Sequence, residues 1–170
     1  MTDSAAFLVN DADVPALRNA VSHIASVGYS EAKVRERLGL SDLNDLRWRA
    51  LPIYREEQLA VRDVLASAID LFLLQGAIPA DELNRLFDND DRDVLIRAGI
   101  LAINEKRVAR ARASLFPVGD RLVFSDHAWP MLPHPGHANV PYDQVMSIGA
   151  DSRWLARVTN QACGIIPFGI

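Results

Sequence analysis

The run Glu56–Gly76, EEQLAVRDVLASAIDLFLLQG, holds no proline and no glycine before its last residue. Leu59, Val61, Val64, Leu65, Ala68, Leu71 and Phe72 recur at helical spacing, with Arg62, Asp63, Ser67 and Asp70 opposite them. The spacing predicts one helix from Glu56 to Gly76. Towards its end Ile69, Leu71, Phe72, Leu73 and Leu74 make it apolar almost all round, so it must be covered on several sides. A fully buried large side chain contributes about 1.5–3 kcal/mol, which lets such a helix anchor a small domain. Charge interrupts it too often, and too early, for a membrane span.

Upstream, Asp13 is placed to cap a helix with Pro15 in its first turn, where a missing N–H costs nothing. Val14, Leu17, Val21, Ile24 and Ala25 give that helix one apolar face, and Gly28 ends it. Ser30 opens a second short helix through Val34 and Leu38, closed by Gly39. Ser41 and Asp42 start a further turn through Leu43 and Leu46. Residues 1–52 thus read as a helical preface with few large side chains, suited to packing on something else. His23 lies beside its apolar face and reads as a partly buried structural histidine with no metal partner near it in sequence.

Downstream of Gly76, Pro79, Asp81 and Glu82 mark a helix start, and Leu83, Leu86 and Phe87 give that helix a face. Asn89 is expected to cap a third helix from Asp90 to Ala98, ended by Gly99. The period then changes from 3.6 to 2. Asn104-Glu105-Lys106 reads as a turn, Arg107 to Val118 as a strand, Gly119-Asp120 as the next turn and Arg121 to Asp126 as the return. Three helices followed by a hairpin is the order of a winged-helix-like domain, here residues 53–126. The fold class expected is mainly α with a β-hairpin, α+β. Residues 127–141 follow as a proline-rich linker, in which prolines prevent a helix or an inner strand.

The composition is that of an ordinary globular chain: 170 residues, 49% hydrophobic and 24% charged, with a formal net charge of −4. Bulk charge therefore does not draw the molecule to polyanions, and any such contact needs a local basic patch. The single cysteine, Cys163, rules out an internal disulfide and fits a reducing compartment. The opening MTDSAAFLVNDAD has no basic region followed by an apolar run, so no secretory signal is expected and the cytoplasm is the default location.

The third helix would be the one laid into a DNA groove, yet it begins Asn89-Asp90-Asp91-Arg92-Asp93, the wrong sign for phosphates. The hairpin differs, because Lys106, Arg107, Arg110, Arg112 and Arg121 outnumber Glu105 and Asp120 there. Strand alternation puts Arg110 and Arg112 on one face. Arg107, Arg110 and Arg112 are the candidate contacts to RNA or other nucleic acid. The commoner explanation is a charged edge that discourages strand pairing. His127, His134 and His137 follow no trusted metal-ligand spacing, so no metal site is expected. Cys163 has no charged neighbour to activate it.

The segments Phe116 to Asp126 and Asp143 to Thr159, DQVMSIGADSRWLARVT, change the reading. Together with the proline-rich arm they resemble bacterial class I S-adenosylmethionine-dependent methyltransferases that carry a helical, winged-helix-like N-terminal domain. Their catalytic domain is similar to that of release-factor glutamine methyltransferases and rRNA guanine methyltransferases. The resemblance implies that residues 142–170 begin a methyltransferase domain. It implies also that Gly149, Asp151 and Ser152 stand at the lip of an S-adenosylmethionine pocket, where Asp151 and Ser152 also suit a helix cap at Arg153. The substrate implied is a protein amide or an RNA base nitrogen. After Thr159 the sequence lacks the D-x-G-x-G-x-G loop that cradles the cofactor, so the expectation is an accessory, substrate-positioning domain that does not itself bind S-adenosylmethionine or catalyse. The alternative is a free-standing winged-helix module that binds nucleic acid, or one that docks a protein on Ile165, Ile166 and Phe168.

Overall fold

The segment that anchors the fold is two helices, not one. In the computed structural model, which describes residues 11–119 and 121–125, α3 (Leu51–Ile53) widens into a π turn at Tyr54–Gln58 and stops at Leu59. The backbone then turns at Val61, whose carbonyl accepts from the Asp63 N–H at 3.0 Å, and the Asp63 carboxylate accepts from the Ala66 N–H at 2.7 Å and starts α4 (Val64–Ala68). The single helix expected over Glu56–Gly76 is therefore corrected to a break at 59–63. The cause is Arg37. Its guanidinium donates to the carbonyls of Gln58 (3.1 Å) and Val61 (2.8 Å) and pairs with Asp63 at 2.9 Å. Backbone acceptors that a continuous helix would have satisfied are met from outside it. Val61, expected in the core, is 72% exposed.

Beyond the break α4 widens into a second π turn, Ile69–Leu73, closed by the Leu74 N–H on the Ile69 carbonyl at 2.9 Å. All five residues of that turn are buried, as an all-round apolar helix demands. One of them is Asp70.

The chain then follows β1 (Ala77–Pro79), α5 (Ala80–Leu86), α6 (Asn89–Arg97), β2 (Leu101–Ile103) and β3 (Val108–Ala111). The three strands form an antiparallel sheet in the order β1–β3–β2, with Ala77 and Ala102 flanking Arg110 on the central strand. Helix, strand, two helices and a hairpin whose last strand lies in the middle make a mixed α+β arrangement. β1 replaces what the sequence suggested was only a helix start, and the cap of α6 is Asp88 rather than Asn89: its carboxylate accepts from Asp91 N at 2.8 Å.

The long strand expected from Arg107 to Val118 is also divided. Arg112 donates its N–H to the Ile100 carbonyl at 2.7 Å, the chain bends, and β4 (Ser114–Val118) pairs with β5 (Arg121–Ser125) as a separate hairpin. β4 is buried along its whole length and packs against the π turn of Ile69–Leu73. Pro117 is tolerated because this sheet has only two strands, both of them edges.

The preface forms α1 (Val14–Ser26) and α2 (Glu31–Leu38), the second with the caps its sequence predicts. Ser30 accepts from Lys33 N, and Gly39, at φ +66°, supplies the left-handed turn that ends α2. α1 lies along α6. Asp13 does not cap α1; its carboxylate reaches Arg97 of α6 at 3.1 Å instead. Leu17, Ala20, Ile24 and Tyr29 belong to the same buried cluster as Phe72, Leu83, Leu95 and Phe116. The preface and the part that follows it thus share one core. Among the described residues no helix is long and apolar enough to cross a membrane. The linker of 127–141, the segment 142–170, His127, His134, His137 and Cys163 lie outside the described residues.

Candidate nucleic-acid interface and the charged clusters around it

Arg107 sits in the β2–β3 turn in the left-handed region, φ +57°. Its backbone carbonyl accepts from Ala80 N and its N–H donates to Asn104, both at 2.9 Å, which ties the turn to the start of α5. The guanidinium is 3.6 Å from Asp81, but both side chains are at least three-quarters exposed (75% and 88%), so the pair contributes little. Arg110 projects from the centre of the sheet between two alanines, Ala77 and Ala102. Arg112 follows at the bend. Ala109, Ala111 and Ala113 between and beyond them are buried, while Arg110 and Arg112 are exposed. The alternation of exposed arginine and buried alanine continues past the end of β3, although Arg112 itself lies in the bend. Among the described residues neither takes part in an ion pair.

The third helix offers the opposite. Asp90 and Asp93 are exposed at its leading end, and Asp91 is turned inward. Its two ends are bracketed by the preface, through His23 to Asp91 at 3.0 Å and Asp13 to Arg97. Acid at its tip and α1 along its side leave it badly suited to a groove. The basic face belongs to the sheet.

Sequence reasoning missed two clusters. His23 contacts the Phe87 ring edge-on, with centroids 6.4 Å apart, and its Nδ1 meets Asp91 Oδ2 at 3.0 Å. Asp88 completes a group in which one ligand atom from each residue lies within 4.8 Å of the others. The acidic partners that His23 lacks nearby in sequence are brought to it by the fold, from 65 and 68 positions away by the numbers of Asp88 and Asp91. Nothing local in sequence signals that meeting.

The second cluster surrounds Asp70. Arg55 Nε donates to Oδ1 at 2.9 Å and Arg62 Nη1 to Oδ2 at 3.0 Å. Arg55 also donates to the Leu74 carbonyl at 2.7 Å, which caps the π turn. Arg62 reaches on to Glu82 at 2.8 Å, and the Ser67 hydroxyl donates to the same carboxylate oxygen at 2.7 Å. Partial burial alone would push the Glu82 carboxyl up, but hydrogen bonds from Arg62 and Ser67, with the charges of Arg62 and Arg85, hold it below its ordinary value. Burial opposes the charge on Arg62 as well, and its two carboxylate partners outweigh that and raise it. Every member is paired, so the network fastens the broken helix to α5. It offers no free group for chemistry.

Compared with known proteins, the chain matches no family model, no curated protein and no solved structure. Gly149, Asp151 and Ser152, the expected lip of a cofactor pocket, lie outside the described residues.

Proposed function

We propose that this chain is the N-terminal, substrate-positioning part of an S-adenosylmethionine-dependent methyltransferase that modifies a nitrogen of a protein amide or an RNA base. The reading is supported by the resemblance of Val145 to Ala156, preceded by helices and a three-stranded antiparallel sheet. The observation that carries the positioning role is the exposed face of Arg110 and Arg112, with Arg107 at the adjoining turn, on a sheet whose neighbouring side chains are small. A flat basic face engages a phosphate backbone without reading bases. The methyl transfer itself is assigned to a glycine-looped domain that these 170 residues do not include.

Two measurements test this. Nucleotide sequence beyond codon 170, read in all three frames, is expected to encode a D-x-G-x-G-x-G loop; its absence from every frame removes the methyltransferase reading. Titration calorimetry is expected to show no binding of S-adenosylmethionine to the chain, and micromolar binding would overturn the division of labour.

A second reading, a free-standing nucleic-acid-binding module, is favoured by the same arginines. Fluorescence anisotropy separates the two. A positioning face is expected to bind an RNA hairpin with a salt-dependent affinity that R110E/R112E weakens about 10-fold or more, in line with the loss of phosphate contacts. Equal binding of duplex DNA, undiminished by the charge reversal, would sink the role of these residues.

A further inference from the structure

Acidic helix starts are common and bind nothing in particular. The start of α6 differs because an imidazole from another helix reaches into it. His23 comes from the last two turns of α1, Asp88 is the cap of α6 and Asp91 lies one turn further on. One ligand atom from each lies within 4.8 Å of the others. We propose that His23, Asp88 and Asp91 form a site for a single borderline divalent cation of the zinc type, which fastens α1 to the start of α6.

The donor set argues for the class of ion. Around a tetrahedral zinc with bonds of about 2.0–2.2 Å, ligand atoms stand about 3.3–3.5 Å apart. His23 Nδ1 and Asp91 Oδ2 are already 3.0 Å apart, held by a shared hydrogen that the metal replaces. Asp88 spends Oδ1 on the Asp91 N–H at 2.8 Å, and its other oxygen is free to turn toward the ion without uncapping the helix. An imidazole with two carboxylates suits zinc and its neighbours, whereas magnesium and calcium prefer all-oxygen sets. The His23 ring is steered by its edge contact with Phe87. Exposure is graded across the site: the Asp91 side chain is 11% exposed, that of His23 38%, and Asp88 faces solvent. A protein-held floor and a wet mouth leave the remaining coordination positions to water. Asp90 and Asp93 add negative charge that outweighs the partial positive charge of the helix start. Arg92 is directed elsewhere, to Asn84 at 2.8 Å and toward Asp93.

The site is independent of the methyltransferase reading. Its test is calorimetric titration of zinc into the full chain carrying H127A/H134A/H137A and C163S, which removes the other soft donors. One equivalent is expected to bind, with a rise in melting temperature that grows with zinc concentration. H23A and D91N are each expected to weaken binding about 10–100-fold, the range already produced by outer-shell changes. D88S keeps a capping oxygen while losing the charged ligand, so it should weaken zinc binding yet melt close to its parent without metal. Unchanged zinc affinity in H23A and D88S, or no binding below millimolar zinc in the parent, would overturn the proposal.

Discussion

Gly76 shows how a single missing side chain holds a charged group in place. It follows the π turn of Ile69–Leu73, and its N–H donates to the Asp70 carbonyl at 2.7 Å. A Cβ built on it would stand 2.0 Å from Asp70 Oδ1 and 2.6 Å from Asp70 Cγ, closer than any real contact. The obstacle is not a flexible chain end. That carboxylate is pinned by Arg55 and Arg62, both of which also bind elsewhere. Gly76→Ala must therefore push Asp70 from between its two cations or shift the backbone after the π turn. Breaking a buried pair costs about 3–5 kcal/mol where both charges are fully covered, and less here because Arg55 and Arg62 are about a third exposed (37% and 32%). Urea denaturation of Gly76→Ala is expected to show a loss of about 2–4 kcal/mol. In the Asp70→Ala background the same substitution should cost much less, because the clash has gone with the carboxylate. A full cost in both backgrounds would place the effect in the backbone instead.

At the scale of elements the informative feature is the interruption at 59–63. Were the helix continuous, Val61 and Leu59 would both lie on its apolar face. As folded, Leu59 is fully buried and Val61 is 72% exposed in the connection capped by Arg37. Leu59→Ala is expected to destabilise by about 2–5 kcal/mol, the range for emptying a core position, and Val61→Ser by no more than about 0.5 kcal/mol. Chemical denaturation of the two variants checks the pair, and comparable losses would restore the single helix. The same break marks where sequence ceases to determine structure. Ser30, Asp42 and Gly39 act through residues two to four positions away, so their roles were legible. The change of period after Gly99 and the Arg121 return were legible for a similar reason. Arg37 acts on carbonyls more than 20 residues ahead, and nothing in EEQLAVRDVL announces it. The bend at Arg112–Ala113 hides differently: side chains keep alternating across it, so period alone cannot show that the strand changes sheets. β1 has only three residues, too few to carry a period. The exposed arginine face was legible because alternation suffices to place Arg110 and Arg112. The histidine site was not, because its ligands meet only through the packing of α1 on α6.

Across the whole molecule, the preface is structural material for the part that follows it. α1, buried through Leu17, Ala20 and Ile24, covers α6, buried through Val94 and Leu95. Tyr29 is fully enclosed and donates its hydroxyl to the Leu115 carbonyl at 2.7 Å, and that burial pushes its phenol pKa upward. Glu31 of α2 accepts from the Gly119 N–H at the tip of the β4–β5 hairpin. Arg37 supports the break in the central helix. These contacts reach the third helix, the second hairpin and the central helix, so no separate surface closes off either half. A chain beginning at residue 53 would present the α1-facing side of α6 to water and leave the buried Leu115 carbonyl and the part-buried Gln58 carbonyl without their side-chain donors. Apolar cost and unmet polar groups add, since each buried group left unpaired costs about 1–3 kcal/mol, against a total stability of about 5–15 kcal/mol for an ordinary domain. The full chain is therefore expected to unfold in one cooperative transition over its described part, with far-ultraviolet circular dichroism and tyrosine fluorescence changing together. The chain starting at residue 53 should lose cooperative melting and bind a hydrophobic dye. Tyr29→Phe keeps the ring but removes the hydroxyl that Leu115 relies on, and should lower the single transition without splitting it. Two separate transitions in the full chain, or a sharp melt in the truncated one, would mean that the preface is a domain in its own right.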